Sequence, residues 1–471
     1  MVMVGAWFVG NLWINGRVLM DGREPDEAAW IFSTYYYHLA FQKGELTSPD
    51  WRHYDCVDHP PVAKFVFGAA LAPGDHVVKT LDYKEWWIRH QLDSDGYAQF
   101  AARLREGIPL KVLFRGRLVS TASFAISAWL MFVIARRAFS SAVAWWALVF
   151  FSIFPQVLKY AALGMAEGLH LLLLLLSVWV QLAWVERVIA GRPVGLTTAG
   201  LAAVLALLFN TKITGLAALP LSVFALAASC WTARRAGSEA CGVGIGRTRL
   251  MLRSCGASAA LLVAFALLAV AMNPSLYQGP IGFIAAMFRH RWHQVELQQA
   301  WAYALSNPTP AIMLASFTRG LFFTNDFAYQ LAGVPMMLFL FLLGCVKLPT
   351  YARRAPLPTV VLALNGLAWI AITAYTYRLD WQRYLLPANP FVLLIAAVGM
   401  EELVARLRNV ASTWARRVAM AGALAGAVVL IGVMAHRWTT QRYMAEHPEW
   451  VEEMRSRAFE LQVRIMSDEP L

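Results

Sequence analysis

Apolar runs and short polar breaks alternate along this chain, with one long exception. After residue 117, apolar stretches recur at about 118–135, 140–156, 165–185, 195–210, 213–231, 256–272, 331–346, 357–375, 385–403 and 418–435. Most are long enough to carry an α-helix across a hydrocarbon core of ~30 Å at about 1.5 Å per residue. A shorter run, Val2 to Leu12, precedes them and reads as part of a first span or as a tilted one. The pattern predicts an all-α polytopic bundle of about eleven transmembrane helices. Asn210-Thr211-Lys212 interrupts what would otherwise pass for one long run at 195–231 and marks a turn.

The exception is residues 15–116, a polar stretch that contains Arg23-Glu24-Pro25-Asp26-Glu27 and Asp58-His59-Pro60-Pro61. Asp26 to Phe41 is expected to be a helix, with Pro25 where a first-turn proline is tolerated. Its aromatics are Trp30, Tyr35, Tyr36, Tyr37 and Phe41. Pro60-Pro61 opens a second apolar stretch, Val62 to Leu71, and Lys84-Glu85-Trp86-Trp87 suits the headgroup level. These read as amphipathic helices lying on the membrane and not as an independent domain. The expected organisation is one transmembrane unit over 1–435, with outer loops 15–116 and 273–330, followed by a tail at 436–471.

Composition agrees with a membrane protein: 59% of residues are hydrophobic and only 15% are charged. The net charge of +12 does not point to nucleic acid. The basic residues sit in short loops between apolar runs, the pattern of cytoplasmic anchors. Arg136-Arg137, Arg187, Arg192, Arg234, Arg235, Arg247, Arg249, Arg253, Lys347, Arg353, Arg354, Arg406, Arg408, Arg416 and Arg417 all fall on one side. Alternation then places 15–116, 157–164, 210–212, 273–330, 376–384 and the tail after 436 outside. The front of the chain lacks the basic start and small-residue cleavage site of a cleavable signal. Five cysteines are scattered without metal-type spacing, and Cys56 has no cysteine partner within the first loop.

The chemistry-bearing residues collect on the predicted outer side. Asp26 and Glu27 read either as helix N-terminal charge, worth at most about 1 kcal/mol, or as carboxylates placed to take a proton from an acceptor hydroxyl. Asp58 and His59 precede two prolines that fix the chain direction. They are either aimed side chains or members of a structured turn. Lys64 follows one turn on, as a phosphate contact or a snorkelling lysine. Glu167 stands at the outer end of an apolar run, where an unpaired acid is costly. Arg117, Lys212, Arg383 and Tyr384 sit at comparable outer edges, as anion-holding groups or as interfacial anchors. His290 and His293 are one helical turn apart, but no acid or cysteine stands in register, so an amphipathic surface helix is expected there and no metal site. Asp93-Ser94-Asp95 reads as a solvated turn.

In this order, the residues resemble the GT-C glycosyltransferases. The carriers are the early Asp26-Glu27 pair, Asp58-His59-Pro60-Pro61, Arg117 at the second span, Glu167, and Arg383-Tyr384-Leu385-Leu386-Pro387. The chain looks most like the branch of protein O-mannosyltransferases and the lipid A aminoarabinose transferase. His59 stands where the latter carry lysine, and Glu167 where aspartate is common. The resemblance implies a multi-pass inner-membrane enzyme whose site faces the periplasm. It implies transfer of a sugar, with inversion, from a polyprenyl phosphate to a hydroxyl of a protein, lipid or glycan. It implies Asp26 as general base, and Asp58 and Glu167 in the same cavity. A donor with one phosphate requires no metal or other cofactor. Its lipid tail stays in the bilayer, and its leaving phosphate calls for Lys or Arg.

A transporter or flippase would also have many spans, but with charged or broken helices near the bilayer centre; a non-catalytic scaffold is a third possibility. The charge alternation makes the topology testable. Cysteines introduced at 45–50 should react with an impermeant reagent at the outer face, and cysteines at 240–250 should be protected. The reverse pattern would overturn the assignment.

Overall fold

The computed structural model describes residues 25–52, 56–57, 59–71, 74–75, 109–161, 163–235, 247–277, 279–301, 309–322, 334–378 and 382–409. The run at Val2–Leu12, the run at 418–435, the tail, Asp58, Lys84–Trp87 and Asp93–Asp95 lie outside these residues. Among the described residues all regular structure is helical. Counting helices of seven residues or more, the order is α1 (Pro25–Phe32), α2 (Pro61–Ala70), α3 (Leu110–Ala138), α4 (Ser141–Ile153), α5 (Pro155–Ala161), α6 (Ala166–Ile189) and α7 (Gly195–Phe209). Then follow α8 (Ala218–Arg235), α9 (Arg247–Ala271), α10 (Pro280–Trp301), α11 (Pro310–Phe322), α12 (Val334–Arg354), α13 (Pro356–Thr376) and α14 (Asn389–Asn409). Five helical segments are long and apolar enough to cross a bilayer: Lys111–Ala138, Ala166–Ile189, Ile213–Arg235, Thr248–Ala271 and Pro356–Thr376. The helices α4, α7, α12 and α14 follow four further apolar runs of the sequence.

Two expected elements are broken where backbone chemistry requires it. The apolar run at 140–156 divides into α4 and α5, because Pro155 has no N–H to continue the ladder and pushes Phe154 into an extended conformation. The helix expected from Asp26 to Phe41 stops at Phe32. There the Thr34 hydroxyl donates to the Ile31 carbonyl at 2.6 Å and competes with the helical ladder. The chain resumes as a short turn at Tyr35–Tyr37 and then widens into a π-turn over His38–Gln42, closed by Lys43 N–H on the His38 carbonyl at 3.0 Å. Trp30, Tyr35 and Tyr36 are buried, whereas Phe41 is exposed.

The bundle core lies between α3, α4, α6, α7, α13 and α14, with α9 at the margin and much of its surface outward. Polar groups inside the core are paired between helices. Asn365 of α13 donates to Gln181 of α6 at 2.8 Å, and the Trp184 indole of α6 donates to Thr198 of α7 at 2.9 Å. In lipid such bonds hold helices together where hydrophobic attraction between them is weak. Small residues do the same for α12 and α14. A Cβ built at Gly344 would overlap the Ile395 carbonyl oxygen, and one at Gly399 would overlap that of Leu340. The two backbones therefore touch.

Each end of the bundle carries its own set of paired charges. At one end Arg137 pairs with Glu186, Ser140 donates to Glu401, and Lys347 and Arg406 both reach Glu402. All belong to segments with the basic anchors. At the other end lie Glu27, Arg117, Glu167, Lys212 and Arg383.

Substituting leucine at Gly344 or Gly399 should separate α12 from α14. Overpacking of this kind costs typically 1–3 kcal/mol, occasionally more, so the thermal unfolding midpoint in detergent should drop. Gly200→Ala, at a site with open space around it, should leave the midpoint unchanged or raise it. Unchanged midpoints for both leucine variants would show that the contact does not hold the helices.

Candidate functional site

The site is built from the first loop upward. In α1, Glu27 is completely buried, and its carboxylate receives two parallel hydrogen bonds from Arg117 of α3, each 2.8 Å. The Gly164 N–H donates to the same carboxylate at 2.7 Å. The Ser120 and Thr121 hydroxyls of α3 grip the same turn, donating to the Met165 and Ala161 carbonyls at 2.9 and 2.8 Å. Helix α6 starts at the next residue, so Glu27 and Arg117 set where α6 begins. Glu167 sits in its first turn, where the helix dipole favours an acid.

Lys212 reaches Glu167 from the turn between α7 and α8, Nζ to Oε1 at 2.7 Å. That turn is held by two asparagines. The Asn210 side chain donates to the Ala269 carbonyl, and Asn273 donates to Asn210 Oδ1, both at 3.0 Å. The Asn210 carbonyl also accepts the Val62 N–H at 2.9 Å, which ties the Pro60-Pro61 turn to the Lys212 turn. His59 leans on Trp30 of α1, ring centroids 4.8 Å apart. From the far side Arg291 of α10 donates to the Tyr384 hydroxyl at 3.0 Å.

These groups converge on one cavity of about 100 Å³, whose wall carries His59, Glu167, His170, Lys212, Arg291, Arg383 and Tyr384 above an apolar floor that includes Leu171, Trp369 and Ile372. Among the described residues its lining holds three cationic side chains and one carboxylate. Burial alone would raise the Tyr384 phenol pKa, but the neighbouring Arg291, Arg383 and Lys212 outweigh it and hold that pKa below the usual phenol value. The arrangement is suited to an anion: three cations can share its charge, and the phenol is polarised to donate.

Five residues named from the sequence, His59, Glu167, Lys212, Arg383 and Tyr384, thus share the cavity. Glu27 and Arg117 form the buried clamp beneath the start of α6 and are absent from the cavity lining. Lys64 is wholly buried, with Nζ 3.7 Å from Cys56 Sγ and 4.3 Å from the Tyr36 ring. Full burial does not match a snorkelling lysine. Asp26 lies in the first turn of α1, but its side chain is outside the described residues, as is Asp58. Two ionisable residues of the cavity, Arg291 and His170, are not among the candidates read from the sequence. Arg291 lies on the expected surface helix, and nothing local in the sequence links it to Tyr384. His170 is hidden in a leucine-rich run, although an ionisable residue three positions after Glu167 inside a span was a legible signal.

No known protein family matches the chain, and no curated protein matches it in sequence. Solved structures do. The archaeal oligosaccharyltransferase AglB from Archaeoglobus fulgidus, in complex with an inhibitory peptide and a dolichol-phosphate, aligns with TM-score 0.52 and 12% identity over 93% of this chain and 56% of that one. A second structure of the oligosaccharyltransferase from that organism, with Zn and sulfate, aligns with TM-score 0.50 and 14% identity over 92% and 53%. ArnT from Cupriavidus metallidurans bound to undecaprenyl phosphate aligns with TM-score 0.49 and 14% identity over 94% and 72%. The chain therefore has the GT-C fold of multi-pass membrane proteins. It spans little more than half the length of the oligosaccharyltransferase chains.

Removing one partner of a buried ion pair strands the other charge and costs about 3–5 kcal/mol. Arg117→Met should therefore lower the unfolding midpoint strongly. The double variant Glu27→Gln/Arg117→Met should lose less than the sum of the two single losses. Additive single losses would deny the pair its coupling role.

Proposed function

We propose that this chain is a membrane glycosyltransferase that moves a sugar from a polyprenyl phosphate to an acceptor hydroxyl on the extracytoplasmic side, with inversion. The observation that carries this reading is the cavity: Lys212, Arg291 and Arg383 surround Tyr384 at the bundle end opposite the basic anchors. A lipid-linked phosphate would sit at that depth, with its chain in the bilayer. The AglB structure of the same fold was solved with a dolichol-phosphate, which supports a lipid phosphate as ligand.

The reaction would run in one displacement. The acceptor oxygen attacks the anomeric carbon, and the bond from that carbon to the phosphate oxygen breaks. The phosphate leaves with the electron pair, and Lys212 and Arg383 stabilise the charge that grows on it. Asp26 takes the hydroxyl proton as the acceptor oxygen bonds to carbon. Support for Asp26 comes from its helix: α1 also carries Trp30, which touches His59 on the cavity wall. Glu27, held by Arg117, fixes the helix that presents Asp26. The acceptor is a hydroxyl of a protein, lipid or glycan, and the lipid surroundings retain the donor.

Charge-assisted hydrogen bonds to phosphate are worth about 1.5–3 kcal/mol each. Lys212→Ala and Arg383→Ala should each weaken donor use by roughly 10- to 150-fold. Asp26→Asn should lose about 10²–10⁴-fold in transfer while donor binding survives. Purified protein given a panel of undecaprenyl-phosphate sugars and candidate acceptors tests this. Unchanged donor affinity in both cation variants would remove the phosphate site, and near-normal turnover by folded Asp26→Asn would pass the base role elsewhere.

A further inference from the structure

We propose that His170 and the second carboxylate oxygen of Glu167 form a hydroxyl-reading subsite that selects a neutral, polyhydroxylated sugar. This deepens the donor-site reading above and rests on it.

His170 is 4% exposed, lines the cavity, and neither ring nitrogen has a hydrogen-bond partner among the described residues. Glu167 is 6% exposed; Lys212 occupies Oε1, and Oε2 has no partner among the described residues. Buried polar atoms without partners are rare, and each costs about 1–3 kcal/mol. Here two such groups stand three residues apart on α6, so they share one helix face, and both residues line the same cavity. Trp369 of α13 flanks His170 edge-on, ring centroids 6.3 Å apart, and supplies an apolar wall beside the two polar groups.

Donor and acceptor chemistry names the occupant. An ionised carboxylate only accepts, whereas a neutral imidazole offers one donor and one acceptor. A phosphate cannot satisfy Glu167 Oε2, because two acceptors repel. A sugar hydroxyl both donates and accepts. Adjacent hydroxyls of one ring can therefore meet the pair, one donating to Glu167 Oε2 and its neighbour bonding to His170. Charge narrows the class further. Among the described residues three cations and one carboxylate line the cavity, so a sugar carrying a free ammonium would meet like charge there. The geometry points to hydroxyl-bearing hexoses or their N-acetyl forms, and away from amino sugars with a free amine.

The test measures affinities of the purified full-length chain in detergent. The probes are undecaprenyl phosphate and its glucose, mannose, galactose, N-acetylglucosamine and 4-amino-arabinose adducts. At least one neutral sugar should bind more tightly than the bare lipid phosphate. His170→Phe keeps an aromatic ring and removes both nitrogens, so it should erase most of that gain, a loss of about 5- to 150-fold, without weakening bare undecaprenyl phosphate. His170→Asn should retain part of the gain. Lys212→Ala should weaken every probe, sugar-bearing or not. No gain from any neutral sugar, an undiminished gain in His170→Phe, or preference for the 4-amino sugar would overturn the subsite. Should His170→Phe fail to fold, an undiminished gain in His170→Asn does so equally. Undecaprenyl phosphate that does not bind, or binds independently of Lys212, overturns the donor-site reading, and the subsite falls with it.

Discussion

The buried contact between Glu27, Arg117 and the Gly164 N–H is the constraint on which the site depends. A carboxylate and a guanidinium taken out of water cost several kcal/mol each unless geometry and hydrogen bonding compensate. Here the fork-to-fork alignment and a backbone donor supply that compensation. Three stretches of chain far apart in sequence meet at one point: the loop helix α1, the outer end of α3 and the turn that starts α6. A charge pair is directional, so it sets position in a way apolar packing does not. Glu167 and His170 owe their place on the cavity wall to where α6 begins.

The same logic repeats around the cavity with weaker bonds. Asn210 and Asn273 hold the Lys212 turn, and the Val62 N–H joins that turn to the two prolines after His59. Arg291 and Tyr384 couple α10 to the segment before α14. Each cation arrives from a different element and each is tied to a neighbour that fixes its approach. Three like charges would repel one another in an empty apolar hollow. Glu167 offsets part of that charge, and an anionic ligand would offset more. The cavity is thus pre-charged for an anion.

The rest of the bundle keeps these groups at one end. Basic residues and their carboxylate partners close the opposite end, and the spans between carry neutral polar pairs such as Asn365 with Gln181. Close backbone contact between α12 and α14 at Gly344 and Gly399 makes that part of the scaffold rigid.

Much of this was legible in the chain alone. Apolar run length dictates helices in lipid, where every backbone group must bond within its own segment, and nine of the runs after residue 117 are met by helices. His59, Glu167, Lys212, Arg383 and Tyr384 stood out because polar groups at the edge of apolar runs are costly without a purpose. The breaks at Thr34 and Pro155 follow from local chemistry that interrupts the longer apolar pattern. Tertiary structure alone decided the partners. Nothing in the sequence links Glu27 to Arg117 and not to a ligand, Arg291 to Tyr384, or Lys64 to Tyr36, since each contact joins elements whose separation along the chain says nothing of their distance in space. His170 shows the boundary most sharply: its run marks it as buried, and only the packing of the elements around α6 determines that it lines the cavity.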